Sequence, residues 1–358
     1  MTFYGPAAVL TGAYGNAYNI EQRSPPAPKP GEALVRLTHS GICHGDVYSR
    51  DGGGPAPAKP VRPLTGGHEG IGQIVKLGDE VNGATRTTSS WQVGQRVGVA
   101  WRAGVCGRCD ACVAGRENFC ADQIITGMRI DGTYQEYIIF PTDELHRIPE
   151  TISPLLACTI LCAGVTAYTA ISSMKPDRGK WIAISGAAGA LGHVAIQYAK
   201  FLELRVLAID GGGVNPREKE QFCRAMGATE YVDFLAAPGP KLADEVKRLT
   251  GGGVDFALVL SPHQSCYDDA GEYVRFGGQI VAVGIGGCHM PLRPLLQKAI
   301  TLRSSQTGTK HDMQTALNLA AEKNIKGQVE VVRFDQLNEA LDRVKAGKVI
   351  GKLIIEIS

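Results

Sequence analysis

Alternating apolar and polar positions predict β-structure in the first part of the chain. Up to about residue 155, short runs rich in Val, Ile and Leu are separated by Gly and Pro clusters, which is typical of strands joined by turns. The clearest predicted strands are residues 33–37, 71–75 and 96–99. The polar segment 82–90, rich in small residues, is predicted to be a surface loop.

After about residue 151 the pattern changes to alternating helices and strands. Residues 154–173 form a long apolar run that predicts a buried helix. Farther on, a helix is predicted at 245–250 and strands at 254–260 and 279–283, an alternation typical of a parallel sheet with crossover helices. A helix at 335–346 and a last strand at 352–357, returning to the first domain, complete the prediction; these two elements lie beyond about residue 295, where the chain is expected to leave the parallel sheet.

The segment 181–210 predicts a dinucleotide-binding unit. A predicted strand, 181–185, enters a turn, a predicted helix follows at 193–201, and a second strand, 205–209, ends at Asp210. The glycines of the turn allow the backbone to approach a pyrophosphate, which the helix N-terminus attracts. The turn consists of Gly186, Ala187, Ala188, Gly189, Ala190, Leu191 and Gly192.

Asp210 bears on the choice of cofactor. It lies about 20 residues beyond the turn, where a carboxylate can accept hydrogen bonds from the ribose hydroxyls of NAD and would repel the 2′-phosphate of NADP. Arg217 and Lys219 nearby weaken this argument, and an ordinary solvated strand end is the competing interpretation. The sequence predicts NAD(H) in preference to NADP(H).

Length and charge limit the classes of protein that need to be considered. The 358 residues, 44% of them hydrophobic, suffice for one large core or two ordinary ones, and the length favours two domains. A formal net charge of +2 gives no field that would argue for nucleic acid or a membrane surface. No run reaches the ~18 apolar residues of a membrane helix, and the N-terminus lacks the features of a signal peptide. We therefore expect a cytoplasmic protein.

The ten cysteines need an explanation in a reducing compartment, where disulfides rarely persist. Four thiolates on short loops can close a tetrahedral shell around zinc, which holds a loop together and leaves no open position for chemistry. An iron–sulfur cluster and unligated thiols are the alternatives. The four are Cys106, Cys109, Cys112 and Cys120. Small buried thiols are the expectation for Cys158, Cys223, Cys266 and Cys288.

A second set of potential ligands centres on Cys43-His44-Gly45-Asp46, directly after the predicted strand 33–37. His68 and Glu69 follow in a glycine-rich turn, and Cys162 lies in the apolar helix. Two cysteines and one histidine make an open three-ligand zinc site, with the fourth position left for water or substrate. The competing interpretation is an inert core pair, so this hypothesis depends on the whole set.

Taken together, these motifs resemble the zinc-dependent alcohol dehydrogenases of the medium-chain dehydrogenase/reductase family, and most of all the yeast-type enzymes, from about residue 30 to the C-terminus. The resemblance implies an α/β fold in which a Rossmann doubly wound parallel sheet is inserted in a GroES-like β-barrel catalytic domain. It implies residues 1–160 and 296–358 for the catalytic domain with its structural zinc loop, and 161–295 for the dinucleotide-binding domain.

The resemblance also implies a role for individual residues. Cys43, His68 and Cys162 would bind the catalytic zinc, Glu69 could enter the shell, and Asp46 would orient His68. With the four-cysteine zinc, this makes two Zn²⁺ per chain. Cofactor contacts beyond the turn and Asp210 would come from His44 and Lys352 at the pyrophosphate, Lys219 at the adenosine ribose, Val283 at the nicotinamide, and Thr166. Gly45, Trp101 and Ile285 would line the substrate pocket.

The implied reaction is hydride transfer between an alcohol or carbonyl and NAD(H), with zinc acting as a Lewis acid on the substrate oxygen. Two departures from the family pattern matter. Gly45 replaces the Thr or Ser that starts the proton relay, and Tyr48 replaces the His that often ends it, so that water or a substrate hydroxyl would have to stand in. A pocket tryptophan is missing from the segment that contains residues 52–55, which predicts a substrate bulkier than ethanol.

Two other functions stay open at this point. One is the reduction of an activated C=C bond with NAD(P)H, in which zinc would be weak or absent. The other is a binding or structural role without catalysis. We expect a small-molecule alcohol or carbonyl as partner, no nucleic acid or membrane, and a homodimer or homotetramer that pairs through the sheet edge near residues 279–285.

Overall fold

The structure, a computed structural model, describes residues 3–53, 59–78, 91–211, 216–235, 241–285 and 289–358. The predicted loop 82–90, Gly54 and Pro55 of the pocket segment, and Cys288 lie outside the described residues.

Within these ranges the chain forms both strands and helices along its whole length. The strands are β1 Gly5–Leu10, β2 Asn19–Arg23, β3 Glu32–Gly41, β4 Leu64–Thr65, β5 Gly70–Leu77, β6 Arg96–Val99, β7 Arg102–Gly104, β8 Ile124–Ile125, β9 Tyr137–Pro141, β10 His146–Arg147, β11 Trp181–Ser185, β12 Arg205–Asp210, β13 Glu230–Asp233, β14 Val254–Val259, β15 Val274–Ala282, β16 Thr301–Ser304, β17 Val329–Arg333 and β18 Lys352–Glu356. The α-helices are α1 His44–Asp51, α2 Asp110–Val113, α3 Pro154–Thr159, α4 Val165–Met174, α5 Ala190–Phe201, α6 Pro216–Met226, α7 Leu242–Thr250, α8 Gln264–Tyr273, α9 Leu292–Lys298, α10 Lys310–Glu322 and α11 Leu337–Lys345.

A six-stranded parallel sheet forms the second half of the molecule. Its order is β13-β12-β11-β14-β15-β16, so the strand order reverses next to β11. Strands β11, β12 and β14 are almost fully buried, as expected when helices cover both faces of a parallel sheet. In such sheets ligands bind beyond the carboxyl ends of the strands at the point of reversal. The predicted doubly wound sheet is confirmed.

The sixth strand, β16, extends this sheet past residue 295, where the sequence predicted the return to the first domain. The return comes after Ser304, because Thr301–Ser304 pairs in parallel with β15 and forms its edge. The domain boundaries stay a prediction. This pairing would move the predicted end of the dinucleotide-binding domain from residue 295 to about residue 304.

A mixed sheet in the first half contains the C-terminal strand, which pairs antiparallel with β3 and parallel with β17. Its order is β10-β6-β5-β3-β18-β17, and β9 also pairs with β3. The pairing of β18 with β3 brings Ile354 opposite Gly41, two residues before Cys43. As predicted, the last strand returns to the first domain.

The apolar segment Pro154–Met174 is a helix throughout. A π-helical turn, Ile160–Gly164, joins α3 to α4 without interruption. Its mean hydropathy of 1.8 would suit a membrane span, but 78% of it is buried inside the protein. It is therefore a core helix, packed against α5 and α10.

Helix α5 begins three residues earlier than predicted, at Ala190. The helix and the turn approach each other closely: a Cβ at Gly192 would lie 2.3 Å from the carbonyl oxygen of Gly186. Glycine at position 192 thus allows the helix to start against the turn itself.

Candidate active site

Cys43 is positioned by the start of α1. It is the N-cap residue of this helix, and its sulfur accepts from the Gly45 N–H at 3.4 Å. In return the Asp46 carboxylate accepts from the Cys43 N–H at 2.8 Å, which completes a capping box. The cap fixes the thiol just beyond the end of β3.

His68 lies on the turn between β4 and β5 and is oriented by Asp46. Its Nδ1 lies 2.8 Å from Asp46 Oδ1, and both side chains are buried. Because the carboxylate can only accept, Nδ1 carries the proton and Nε2 presents its lone pair. Nε2 is buried, and none of the described residues forms a hydrogen bond with it. A buried nitrogen of this kind fits a metal ligand.

Tyr134 adds a second contact to Asp46. Its hydroxyl donates to Asp46 Oδ2 at 2.8 Å. Burial, together with the Asp46 charge, raises the pKa of Tyr134 well above its usual value, so the hydroxyl stays protonated as a donor.

Cys162 reaches the same place from the π-helical turn. Its sulfur lies 3.9 Å from Cys43 Sγ, and Thr166 Oγ1 donates to its carbonyl oxygen at 2.7 Å. A hydrogen bond from the Cys162 thiol lowers the pKa of Cys43 well below its usual value, against the effect of burial. The ligand atoms of Cys43, His68, Glu69 and Cys162 lie within 4.8 Å of one another. This donor set fits zinc.

Glu69 forms a buried ion pair with Lys352. The Lys352 Nζ lies 2.6 Å from Glu69 Oε2 and 3.2 Å from the carbonyl oxygen of Ile42. Burial raises the pKa of Glu69 to about 7, although Lys352 opposes this shift. The predicted pyrophosphate contact of Lys352 stays a prediction. In the structure the Lys352 ammonium is paired with Glu69. The link to the cofactor turn is the neighbouring Gly351, whose N–H donates to the Ala188 carbonyl oxygen at 2.8 Å.

Two of the predicted pocket residues, Gly45 and Trp101, lie beside the candidate ligands His68 and Cys43. A Cβ at Gly45 would lie 3.4 Å from both His68 Cε1 and Trp101 Cζ3, and 3.7 Å from Cys43 Sγ. The His68 and Trp101 rings meet edge-on at a centroid distance of 4.8 Å. A side chain at position 45 would therefore stand beside the ligands and the indole.

Tyr48 and His44 lie on the outer side of α1. The Tyr48 hydroxyl donates to the Ile285 carbonyl oxygen at 3.2 Å, and the side chain of Ile285 is 46% exposed. The rings of His44, which is exposed, and Tyr48 are 4.9 Å apart. This bond joins the first half of the molecule to the segment after β15.

Asp210 and the glycine turn face each other at the carboxyl ends of β11 and β12. The Asp210 carboxylate accepts from the N–H groups of Ala188 and Gly211, each at 2.8 Å, and from Lys219 Nζ at 2.7 Å. These residues line a surface cavity with Ser185. Val283 follows β15, and its N–H donates to the Val259 carbonyl oxygen at 3.0 Å.

The four clustered cysteines also come together. Cys106 Sγ lies 4.0 Å from Cys112 Sγ and 3.6 Å from Cys120 Sγ, and Cys109 completes a set with all sulfurs within 4.8 Å. Backbone N–H groups of Arg108 and Cys109 lower the pKa of Cys106 to about 6. Four sulfurs at this spacing fit a closed tetrahedral zinc site.

Sequence reasoning missed two residues of this site, Thr133 and Tyr134. The Thr133 hydroxyl accepts from the Glu69 N–H at 3.2 Å, and Tyr134 contacts Asp46, from which it is 88 residues distant in sequence. No local pattern marks them, because both act through contacts made only in the folded chain.

Comparison with known proteins identifies the family. The family described as alcohol dehydrogenase GroES-like domain matches residues 29–150, and the one described as zinc-binding dehydrogenase matches residues 190–322. An alcohol dehydrogenase of Geobacillus stearothermophilus is 33% identical over 354 residues, 98% of each chain. One of Schizosaccharomyces pombe is 33% identical over 356 residues, 98% of this chain and 97% of that protein.

Solved structures agree with this result. The alcohol dehydrogenase of the archaeon Aeropyrum pernix superposes with a TM-score of 0.85 at 26% identity, covering 98% of this chain and 99% of that one. An acetophenone reductase of Geotrichum candidum, in complex with NAD, gives a TM-score of 0.81 at 26% identity, covering 99% and 97%.

The chain therefore belongs to the zinc-dependent alcohol dehydrogenases of the medium-chain dehydrogenase/reductase family. It is an NAD-dependent alcohol dehydrogenase whose cofactors are zinc and NAD and whose substrate is a small-molecule alcohol. The GroES-like domain is confirmed. The nearer relation to the yeast-type enzymes stays a prediction.

Proposed function

We propose that this dehydrogenase acts on an alcohol, and on the corresponding aldehyde or ketone, bulkier than ethanol, with Cys43, His68 and Cys162 as ligands of its catalytic zinc. Zinc bound there supplies a Lewis acid for the substrate oxygen, and NAD carries the hydride. The carboxylate of Asp46 keeps the His68 Nδ1 protonated and its Nε2 directed at the two thiols.

The observation that carries the substrate proposal is the place of Gly45. A Cβ at this position would lie at ordinary van der Waals distance from His68, Trp101 and Cys43. The absence of a side chain therefore enlarges the pocket next to the ligands, where the reacting carbon must lie. A small substrate such as ethanol would leave this volume without apolar contacts.

Glycine at position 45 also changes the route of the proton. Without a hydroxyl there, we assign the first proton transfer to water, or to a hydroxyl of the substrate, in the space beside Gly45. The Tyr48 hydroxyl donates to the Ile285 carbonyl oxygen, so Tyr48 contributes to the position of α1 in this proposal.

The substitution Gly45→Thr tests the substrate proposal. We expect it to lower kcat/KM for benzyl alcohol relative to ethanol by about 10-fold or more, in the range that one or two added carbons cost in a pocket. The ratio of the two substrates is measured because the new hydroxyl could raise both rates. Gly53→Ser is the matched control, since no atom of the described residues lies within 4 Å of a Cβ at position 53. A wild-type enzyme that prefers ethanol, or an unchanged ratio in Gly45→Thr, would refute the proposal.

We also propose a homo-oligomeric, cytoplasmic enzyme. All four residues of β16 are exposed at the edge of the parallel sheet, and Leu292 and Leu296 on α9 are 68% and 80% exposed. A strand edge that pairs with none of the described residues, together with exposed leucines, favours pairing with a second copy. Light scattering, with Leu296→Glu as the disrupting variant, decides between a monomer, a dimer and a tetramer.

The alternative chemistry, reduction of a C=C bond without zinc, would fit the missing hydroxyl at Gly45, but the complete ligand set that comes together speaks against it. Assays with an enone before and after chelation would detect it.

A further inference from the structure

We infer that Tyr134 is a positioning residue of the active centre, which acts through Asp46 on the zinc ligand His68. The inference rests on the ligand set proposed above. It concerns a side chain whose hydroxyl bonds to Asp46, which is not one of the proposed ligands.

Asp46 is the group on which three donors converge. Its Oδ1 accepts from His68 Nδ1, while its Oδ2 accepts from the Cys43 N–H and from the Tyr134 hydroxyl, all at 2.8 Å. The carboxylate is 1% exposed, so bulk solvent does not reach it to replace a lost partner. Removing the phenol oxygen would leave Asp46 Oδ2 with a single donor, the Cys43 N–H at the start of α1. The plane of the carboxylate, and with it the His68 ring, would then be less firmly fixed.

The backbone around Tyr134 is bound to the loop that carries His68. The Tyr134 N–H donates to the Gly66 carbonyl oxygen at 2.8 Å, and the Thr133 N–H to the Gly67 carbonyl oxygen at 3.0 Å. The Tyr134 ring packs so closely that a Cβ at Gly67 would lie 2.7 Å from it. The phenol oxygen is therefore held at a set position relative to the imidazole, which a positioning role requires.

Packing alone does not account for the hydroxyl, because a phenylalanine ring would fill the same space. Tyr18 provides the contrast. Its ring lies edge-on to that of Tyr134 at 5.8 Å, and its buried hydroxyl has no hydrogen-bond partner among the described residues. The two tyrosines share one core, but only the Tyr134 hydroxyl bonds to Asp46.

The experiment compares Tyr134→Phe with Tyr18→Phe in the zinc-loaded enzyme. We expect Tyr134→Phe to speed the release of the active-centre zinc to a chromophoric chelator about 3- to 10-fold, less than direct partners of a ligand usually cost. Release of the four-cysteine zinc should not change. The visible spectrum of cobalt at the active centre should shift in Tyr134→Phe, and Tyr18→Phe should match the wild type in all three measurements.

A double-mutant cycle with Asp46→Asn tests the route of the effect. If Tyr134 acts through Asp46, then Tyr134→Phe changes zinc release little or not at all in the Asp46→Asn background. The inference is overturned if Tyr134→Phe has wild-type release and spectrum, if it speeds the release of both zincs equally, or if its effect persists undiminished in the Asp46→Asn background. A wild-type chain that takes no zinc at Cys43, His68 and Cys162 would instead refute the proposed ligand set itself.

Discussion

The two proposed metal centres of this dehydrogenase, the four-cysteine centre and the active centre, are built in opposite ways. The four-cysteine centre takes all its ligands from residues 106–120, on loops around the single turn of helix α2. The active centre joins segments from three places, and its two cysteines are 119 residues apart in sequence. One centre is a product of local chain, and the other exists only in the complete fold.

Their surroundings differ in the same sense. At the active centre, groups from elsewhere hold the ligands, as Asp46 does for His68 and Thr166 does for the Cys162 carbonyl. At the four-cysteine centre, backbone N–H groups of the same loop support the Cys106 sulfur. We therefore expect the loop of the four-cysteine centre to need bound metal to hold its conformation. The side chains of the active centre are held in place by the surrounding protein.

The largest expected effect comes from removing one thiol at each centre in turn. Cys162→Ala should lower kcat by about 1,000-fold or more, because a Lewis acid contributes several kcal/mol to the reaction. The four-cysteine metal should remain, so zinc should fall from about two to about one per chain. Cys112→Ala is the counterpart. It should also lose about one zinc, and it should lower the melting temperature more than Cys162→Ala does.

Elemental analysis, kcat and thermal unfolding of both variants decide the matter. If each variant loses both metals, the centres are coupled, and the contrast drawn above is wrong.

Breaking the ion pair beside the active centre should have the next largest effect. Lys352→Met leaves Glu69 buried without its cation and should cost about 3–5 kcal/mol of unfolding free energy. Lys352→Arg, which keeps the charge, is the control and should cost less. Since Lys352 lowers the pKa of Glu69, its loss raises that pKa further above the unfolded value, and the deficit should grow as the pH rises above about 7. Urea unfolding at pH 6 and pH 8 measures this, and a deficit that shrinks with rising pH would contradict it.

The contrast between the centres also explains what sequence could predict. The spacing of Cys106, Cys109, Cys112 and Cys120 is a local pattern, and the structure brings the four thiols together. The strand, glycine turn and acid of residues 181–210 are equally local, and β11, β12 and the start of α5 follow them. For the active centre, residue types alone suggested Cys43, His68 and Cys162 as a candidate set, and the resemblance to a family gave each of them its role.

What sequence could not predict depends on tertiary contacts. The Tyr134–Asp46 bond and the Lys352–Glu69 pair join residues 88 and 283 positions apart, which no window of local sequence contains. The π-helical turn that carries Cys162 was predicted as ordinary helix, because periodicity does not separate the two. Strand β16 was missed because all its residues are exposed, and so it lacks an apolar pattern.

A smaller effect is expected where the four-cysteine region meets the rest of the protein. Arg102, 6% exposed, donates to Glu144 at 3.2 Å and lies 3.5 Å from Glu117, which belongs to that region. Lys310 Nζ also lies 3.0 Å from Glu144, so in a variant without Arg102 it would still partly neutralise the Glu144 charge. Arg102→Met should therefore cost about 2–3 kcal/mol, the usual range for hydrogen bonds to charged groups.

Arg102→Lys keeps the charge without the planar fork and is the control. Urea unfolding with zinc analysis would show whether the metal stays bound while stability falls. Loss of the zinc in Arg102→Met would mean that this centre, too, needs support from outside its loop.

The smallest effect concerns His146, a buried histidine that, among the described residues, does not have a carboxylate partner such as Asp46 provides for His68. His146 on β10 is 7% exposed and faces the cations Arg102 and Lys310 instead of a carboxylate. Burial and these charges lower its pKa to about 3, from an ordinary 6.5. The unfolded chain therefore binds a proton that the folded protein refuses, so stability is lost as the pH falls from about 6.5 towards 3. Between pH 7 and pH 5 this amounts to about 2 kcal/mol. Urea unfolding at pH 7 and pH 5 should show this loss of stability in the wild type. In His146→Gln the loss should be about 2 kcal/mol smaller. Equal losses in the two proteins would mean that His146 is protonated in the folded protein and that its contrast with His68 does not hold.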